Sequence, residues 1–148
     1  MAEREVISTL NSLIETCRDG EQGFRQAAEN LRDPVVKSLF SEIASERGHF
    51  AEELKHEVER LGGRPDEGGS ASGALHRGWM DVKGAVTGKD DKSIISEAER
   101  GEDVAVKTYL NALKEPLPAG VESVVNRQYQ HVREAHDRVR ELELRHDR

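Results

Sequence analysis

Aromatic residues make up only 4% of this 148-residue chain. A β-sandwich needs more aromatic and β-branched alternation than that, which points away from an all-β fold. Cysteine occurs once, as Cys17, so no internal disulfide can form and a reducing, cytoplasmic setting is the natural expectation. No apolar run reaches the length of a membrane span. The start, Met1-Ala2-Glu3-Arg4-Glu5, lacks the basic, apolar and small-residue regions of a secretory signal. Positive charge is also scarce: the formal net charge is −7 and the pI about 5.4. That balance argues against general binding to nucleic acid or to anionic membrane.

Charged residues are abundant, at 34%, and the apolar ones recur at helical spacing, so a core can form despite them. The expectation is one domain over residues 1–148, with helices near 3–31, 34–62, 74–87, 91–114 and 118–145. The first stripe runs Ile7, Leu10, Ile14, Cys17, Phe24, Ala28 and Leu31. Asp33-Pro34 reads as an N-cap and first helical position. The second stripe is Val36, Leu39, Ile43, Phe50, Leu54, Val58 and Leu61, closed by Gly62-Gly63. A Gly/Ser-rich loop precedes a short amphipathic segment with Leu75, Trp79, Val82 and Val86 on one face. Asp90 or Asp91 can cap the third long helix, which carries Ile95, Ala98, Ala105, Tyr109, Ala112 and Leu113. After Pro116-Leu117-Pro118, the last helix presents Val121, Val125, Val132, Ala135, Val139 and Leu142.

Short turns join helices one and two, and three and four, so each pair is an antiparallel hairpin. About two dozen residues separate the pairs, enough to return along a helix ~42 Å long. The expected fold is an all-α four-helix bundle with one long crossover containing a short helix.

Polar residues interrupt each apolar stripe near its middle: Glu21, Glu46, Glu102 and Gln128. Converging buried carboxylates repel one another unless a cation lies between them. His49 follows Glu46 by three positions, and His131 follows Gln128 by three, a spacing that puts each pair on one side of its helix. Di-metal carboxylate bundles use a Glu from each of two helices and a Glu-x-x-His from each of the other two. Asp19-Gly20-Glu21 echoes Arg100-Gly101-Glu102, as if a helical hairpin had been duplicated.

Gly20-Glu21, Glu46-x-x-His49, Gly101-Glu102 and the fourth-helix histidine resemble the ferritin and rubrerythrin superfamily. Over nearly the whole chain, Asp19-Gly20-Glu21-x-Gly23-Phe24, Glu99-x-Gly101-Glu102 with Tyr109, and Gln128-Tyr129-x-x-Val132 with His136-Asp137 resemble a bacterial four-helix-bundle family known as a domain of unknown function. The resemblance implies a ferritin-like bundle with a metal site of Glu21, Glu46, His49, Glu102, Gln128 and His131. Fe or Mn suits such oxygen and imidazole donors, with Zn as a substitute. Gln128 departs from the superfamily's second ligating Glu, and His136 competes with His131 as the fourth-helix ligand.

Two functions stay open. One is a di-metal protein, with oxidoreductase action on O₂, peroxide or Fe(II) open to it and Glu46 and Glu102 bridging the ions. The other is a non-catalytic bundle that oligomerises or docks partners. A homodimer is expected from the apolar face around Trp79. Cys17 and Tyr109 read as packing residues, and His56, His76 and His146 as surface residues.

Overall fold

The computed structural model describes residues 3–65 and 90–146. It contains four long helices: α1 Glu3–Asn30, α2 Pro34–Arg60, α3 Asp91–Leu113 and α4 Ala119–His146. The short helix expected over 74–87, with Trp79, lies outside the described residues.

Local chemistry sets the ends. The Asp33 carboxylate accepts from the Val35 backbone N–H at 2.9 Å, and Pro34 supplies a fixed φ at the first position of α2. Asp90 caps α3 by accepting from the Ser93 N–H at 2.9 Å. Asp91 reaches outside its own helix, where its two carboxylate oxygens accept from the Arg32 and Asp33 N–H groups, each at 2.9 Å. That contact fastens the start of α3 to the α1–α2 turn. At the far end of α2, Gly63 N–H donates to the Val58 carbonyl and Gly62 N–H to Glu59, both at 3.0 Å. This is a Schellman closure, and it needs the left-handed backbone of Gly62, at φ +81°.

These contacts fix the topology. Gly63, just beyond α2, lies against Ile7 near the start of α1, while Leu61 shares a depression with Pro118 and Val121 at the start of α4. The end of α2 and the start of α3 therefore lie at opposite ends of the bundle, and the chain between them must travel its length. Helices α1 and α2 form one hairpin and α3 and α4 the other, with α1 beside α3 and α2 beside α4. This is the two-hairpin bundle with a long crossover that the sequence predicts.

The interior has two apolar halves. One gathers Leu10, Leu13, Leu54, Val58, Tyr109 and Val125, and the other Phe24, Phe40, Ile43, Ile95 and Val139. On every helix the change from one half to the other falls near the middle, where polar groups sit.

Gly62→Ala should lower stability by about 1 kcal/mol, because an L side chain is strained at positive φ. Gly120, in the first turn of α4, has open space where a Cβ would stand. Gly120→Ala should be neutral or stabilising by about 0.5 kcal/mol. Urea unfolding of both variants checks the pair, and equal losses would refute the assignment of Gly62 as the helix stop.

Candidate metal and ion-pair sites

The polar layer at mid-height is built on Arg47. Its guanidinium is 1% exposed and forks onto the Glu102 carboxylate, with N···O distances of 2.7 and 2.6 Å. Burial alone would push the guanidinium's pKa down, but the charge and hydrogen bonds of Glu102 more than reverse this. Room for the fork comes from α1: a Cβ on Gly20 would stand 3.2 Å from Arg47 Nη1. The Arg47 Cζ also lies 5.7 Å from the centre of the Phe24 ring, a cation–π contact.

The six residues expected to ligate metals do not converge here. Glu102 is central and wholly buried, but both its oxygens are held by Arg47. Glu21 lies toward the rim, over Gly48, paired with Arg18 at 3.1 Å and Arg25 at 3.2 Å. Glu46 is on the α2–α4 seam, 3.5 Å from His131 Nδ1, and His131 is itself half exposed. His49 is exposed. Gln128 is buried but faces Tyr109, Phe50 and Glu53 rather than a carboxylate cage. A cation already occupies the middle of the bundle, covalently attached, so this layer does not fit a di-metal centre.

The difference has a simple geometric source. On α2 the apolar residues Ile43 and Phe50 are seven apart, and the gap can be bridged at 46 or at 47 on a 3.6-residue helix. The structure turns 47 inward. On α1 the equivalent choice lies between Gly20 and Glu21, and Gly20 faces the core. Arginine is rarely buried unless paired, so an apolar stripe does not by itself point to position 47. The signal that could have found it is Gly20. A mid-helix glycine costs about 1 kcal/mol against alanine and usually marks a close approach.

Beside this layer runs a hydrogen-bond chain from core to surface. Tyr109 Oη donates to Gln128 Oε1 at 2.7 Å, so the Cys17 thiol, 3.1 Å from Tyr109, is left to donate to the phenol oxygen. Gln128 Nε2 donates to Glu53 Oε1 at 2.8 Å and to the Phe50 carbonyl at 3.3 Å. Glu53 is in turn paired with Arg127. Burial pushes the Cys17 thiol up to about 11 and the Tyr109 phenol well above its ordinary value. Both stay protonated at neutral pH, which the direction of the chain requires.

A second cluster lies on the α3–α4 face. His136 Nε2 is 2.6 Å from Asp103 Oδ1 and 3.8 Å from Glu99 Oε1, while Nδ1 is 3.2 Å from Asp137 Oδ1. Ligand atoms of Glu99, Asp103 and His136 all fall within 4.8 Å of one another. Among the described residues this is the group whose donors converge as a metal site requires. Partial burial pushes the His136 pKa down, and the hydrogen bonds to Asp137 and Asp103 with nearby negative charge turn the net shift upward. Glu99 is also raised, by burial and by the charges of Asp103 and Glu143, against His136 and Arg140.

The family described as Domain of unknown function (DUF2383) matches residues 5–115. The chain belongs to this family. No curated protein matches it in sequence. Among solved structures, the DUF2383 chain is similar to a two-domain Anabaena variabilis protein containing DJ-1/ThiJ/PfpI-like and ferritin-like domains. The TM-score is 0.78 at 15% identity, over 99% of this chain and 38% of that one. It is similar to the dodecameric thioferritin, a bacterioferritin-related protein, of Bacteroides fragilis, with TM-score 0.77 at 15% identity, over 95% and 85% of the two chains. A Dps protein of Vibrio cholerae O1, a ferritin-like diiron-carboxylate protein, gives TM-score 0.74 at 15% identity, over 95% and 89%. At such identities the likeness shows the fold, and this chain is a ferritin-like four-helix bundle.

Two outcomes are expected from this geometry. Glu102→Gln, which leaves Arg47 buried without its counter-charge, should cost about 3–5 kcal/mol, and the double variant Arg47→Met/Glu102→Leu much less than the sum of its parts. A double-mutant cycle by urea unfolding measures this, and additive losses would mean that the pair is not coupled. The raised His136 pKa makes folding take up a proton. Its stabilisation is complete below the ordinary histidine value of 6.5 and is lost as pH rises through the higher folded value. Melting temperature should therefore decline above pH 6.5, and His136→Gln should flatten that decline. A profile unchanged by the substitution would rule out the linkage.

Proposed function

We infer that this ferritin-like protein holds a single divalent metal ion, not a central pair, at Glu99, Asp103 and His136. The observation that supports this most is the convergence of two carboxylates and one imidazole on the α3–α4 face, beside a bundle centre already neutralised by Arg47 and Glu102. Mixed oxygen and nitrogen donors suit Fe(II) or Mn(II), with Zn(II) as a competitor. The Vibrio cholerae relative is described as a diiron-carboxylate protein, which favours iron.

The chain's own residues account for both the loaded and the unloaded state. Asp137 can accept from Nδ1–H, fixing the ring and leaving the Nε2 lone pair toward Glu99 and Asp103. Without an ion, a proton on Nε2 takes its place and is donated to Asp103. Arg140, 3.7 Å from Glu99, tempers the repulsion between the carboxylates. Three ligand side chains leave room for a further donor, and the site's role is to hold the ion rather than to carry a particular oxidation.

Self-association belongs to the same reading, as a dimer at the least. The Bacteroides fragilis relative is described as dodecameric, and Val35, Leu110 and Leu144 stand exposed on this chain. The expected setting is the bacterial cytoplasm, in keeping with a sequence that carries one cysteine, the buried Cys17. No described helix is long and apolar enough to cross a membrane.

Anaerobic calorimetric titration with Fe(II), and separately with Mn(II) and Zn(II), tests the metal. One ion per chain should bind, and His136→Ala or Asp103→Asn should weaken it at least tenfold. His49→Ala should leave binding unchanged. Two ions per chain, lost in His49→Ala, would overturn this reading in favour of the central sextet.

A further inference from the structure

On the side of α4 opposite the His136 cluster, α2 and α4 are the least closely packed neighbours in the bundle. Their seam opens at the α1–α2 turn into a groove of about 570 Å³. Its apolar lining comes from the half-buried Leu39 and Leu142, with the exposed Pro34 and Val35 forming its edge. A second depression continues it along the seam toward Glu46 and His131, sharing Leu39, Glu42 and Arg138. Val35, at the lip, is 73% exposed, the highest value among the exposed large apolar residues described. A β-branched side chain so placed gains nothing from water and is shaped to enter an apolar groove.

The charges around the lip indicate what fits. Glu42 and Glu141 are balanced by Arg138 and Arg145, although the whole chain carries −7. Two copies of an acidic protein repel each other over most of their surfaces, and least where the charges cancel. The α3–α4 face, with Glu99, Asp103, Asp137 and Glu143, is the contrasting case. A patch that carries a knob, a groove and equal charges of both signs is self-complementary, which a twofold contact demands. The Arg145–Glu141 pair, at 2.9 Å, is well exposed on both sides, so exchanging it for a pairing across an interface costs little.

We propose that the α2–α4 groove is the face through which two copies of this chain pair, Val35 of each entering the groove of the other. This rests on the reading that the chain self-associates, and it leaves the His136 cluster of both copies facing outward.

Sedimentation velocity of the full chain over a concentration series, with Val35→Glu and two charge-reversed chains, tests it. One reversed chain carries Glu42→Arg and Glu141→Arg, the other Arg138→Glu and Arg145→Glu. The wild type should dimerise, and Val35→Glu should raise the dissociation constant at least tenfold with the circular dichroism spectrum unchanged. Each reversed chain alone should be monomeric where the wild type is dimeric, and an equimolar mixture of the two should recover the dimer. A monomeric wild type would overturn self-association as a whole. A wild-type dimer that survives Val35→Glu would overturn only this face. A change in Trp79 fluorescence in Val35→Glu without a change in mass would show the groove covered by the chain's own crossover, and would overturn it too.

Discussion

The bidentate pair between Arg47 and Glu102 is the contact around which the bundle is arranged. Neither side chain is accessible to water, so each is tolerable in the interior only because the other is present. The pair reaches from α2 to α3, between the two hairpins, at the level where both apolar clusters stop. Gly20 on α1 leaves it space, and Phe24 covers one face of the guanidinium. An apolar layer of the same volume would hold four helices together with less directional demand. The fork tolerates one register, because sliding either helix by a residue would bury both charges unpaired.

A ferritin-like bundle with converging carboxylates needs positive charge at its centre, and metal ions are one way to supply it. Here a side chain supplies it. That single fact changes what the neighbouring polar groups do. Glu102 ceases to be available as a ligand, and Glu21 is drawn toward Arg18 and Arg25 at the rim. Gln128 becomes a hydrogen-bond relay between Tyr109 and Glu53. An amide suits that position because it accepts on one side and donates on the other. A carboxylate there would face Glu53 with like charge.

With the centre closed, the surfaces of α4 carry the remaining chemistry. One flank gathers acidic groups about His136, whose ring is held from both nitrogens. The opposite flank borders the apolar groove, with its cancelling charges. The metal site and the pairing face proposed above thus lie on opposite flanks of one helix.

Much of the fold is legible in the sequence because it depends on short-range chemistry. Seven-residue steps of apolar side chains, Asp33-Pro34, Asp90 and Gly62 each act within a turn or two of their own position. They determine where helices begin, end and fold back. The candidate site is legible only in part: Glu102 and Gln128 are buried in the middle of the bundle, whereas Glu46 and His49 are not part of that centre. An apolar stripe fixes which side of a helix faces inward only to within about one position, since 46 and 47 both fall between Ile43 and Phe50. The choice between them is made by partners on other helices: the space over Gly20, the fork of Glu102, the ring of Phe24. His136 stands out in the sequence as an alternative ligand on the fourth helix. Its companions Glu99 and Asp103 lie more than thirty positions away, and only the packing of α3 on α4 brings them to it. The sequence by itself determined the helices and their order. The tertiary structure decided which charged groups meet, because a charge's partner in a folded chain is chosen by distance in space and not by spacing along the chain.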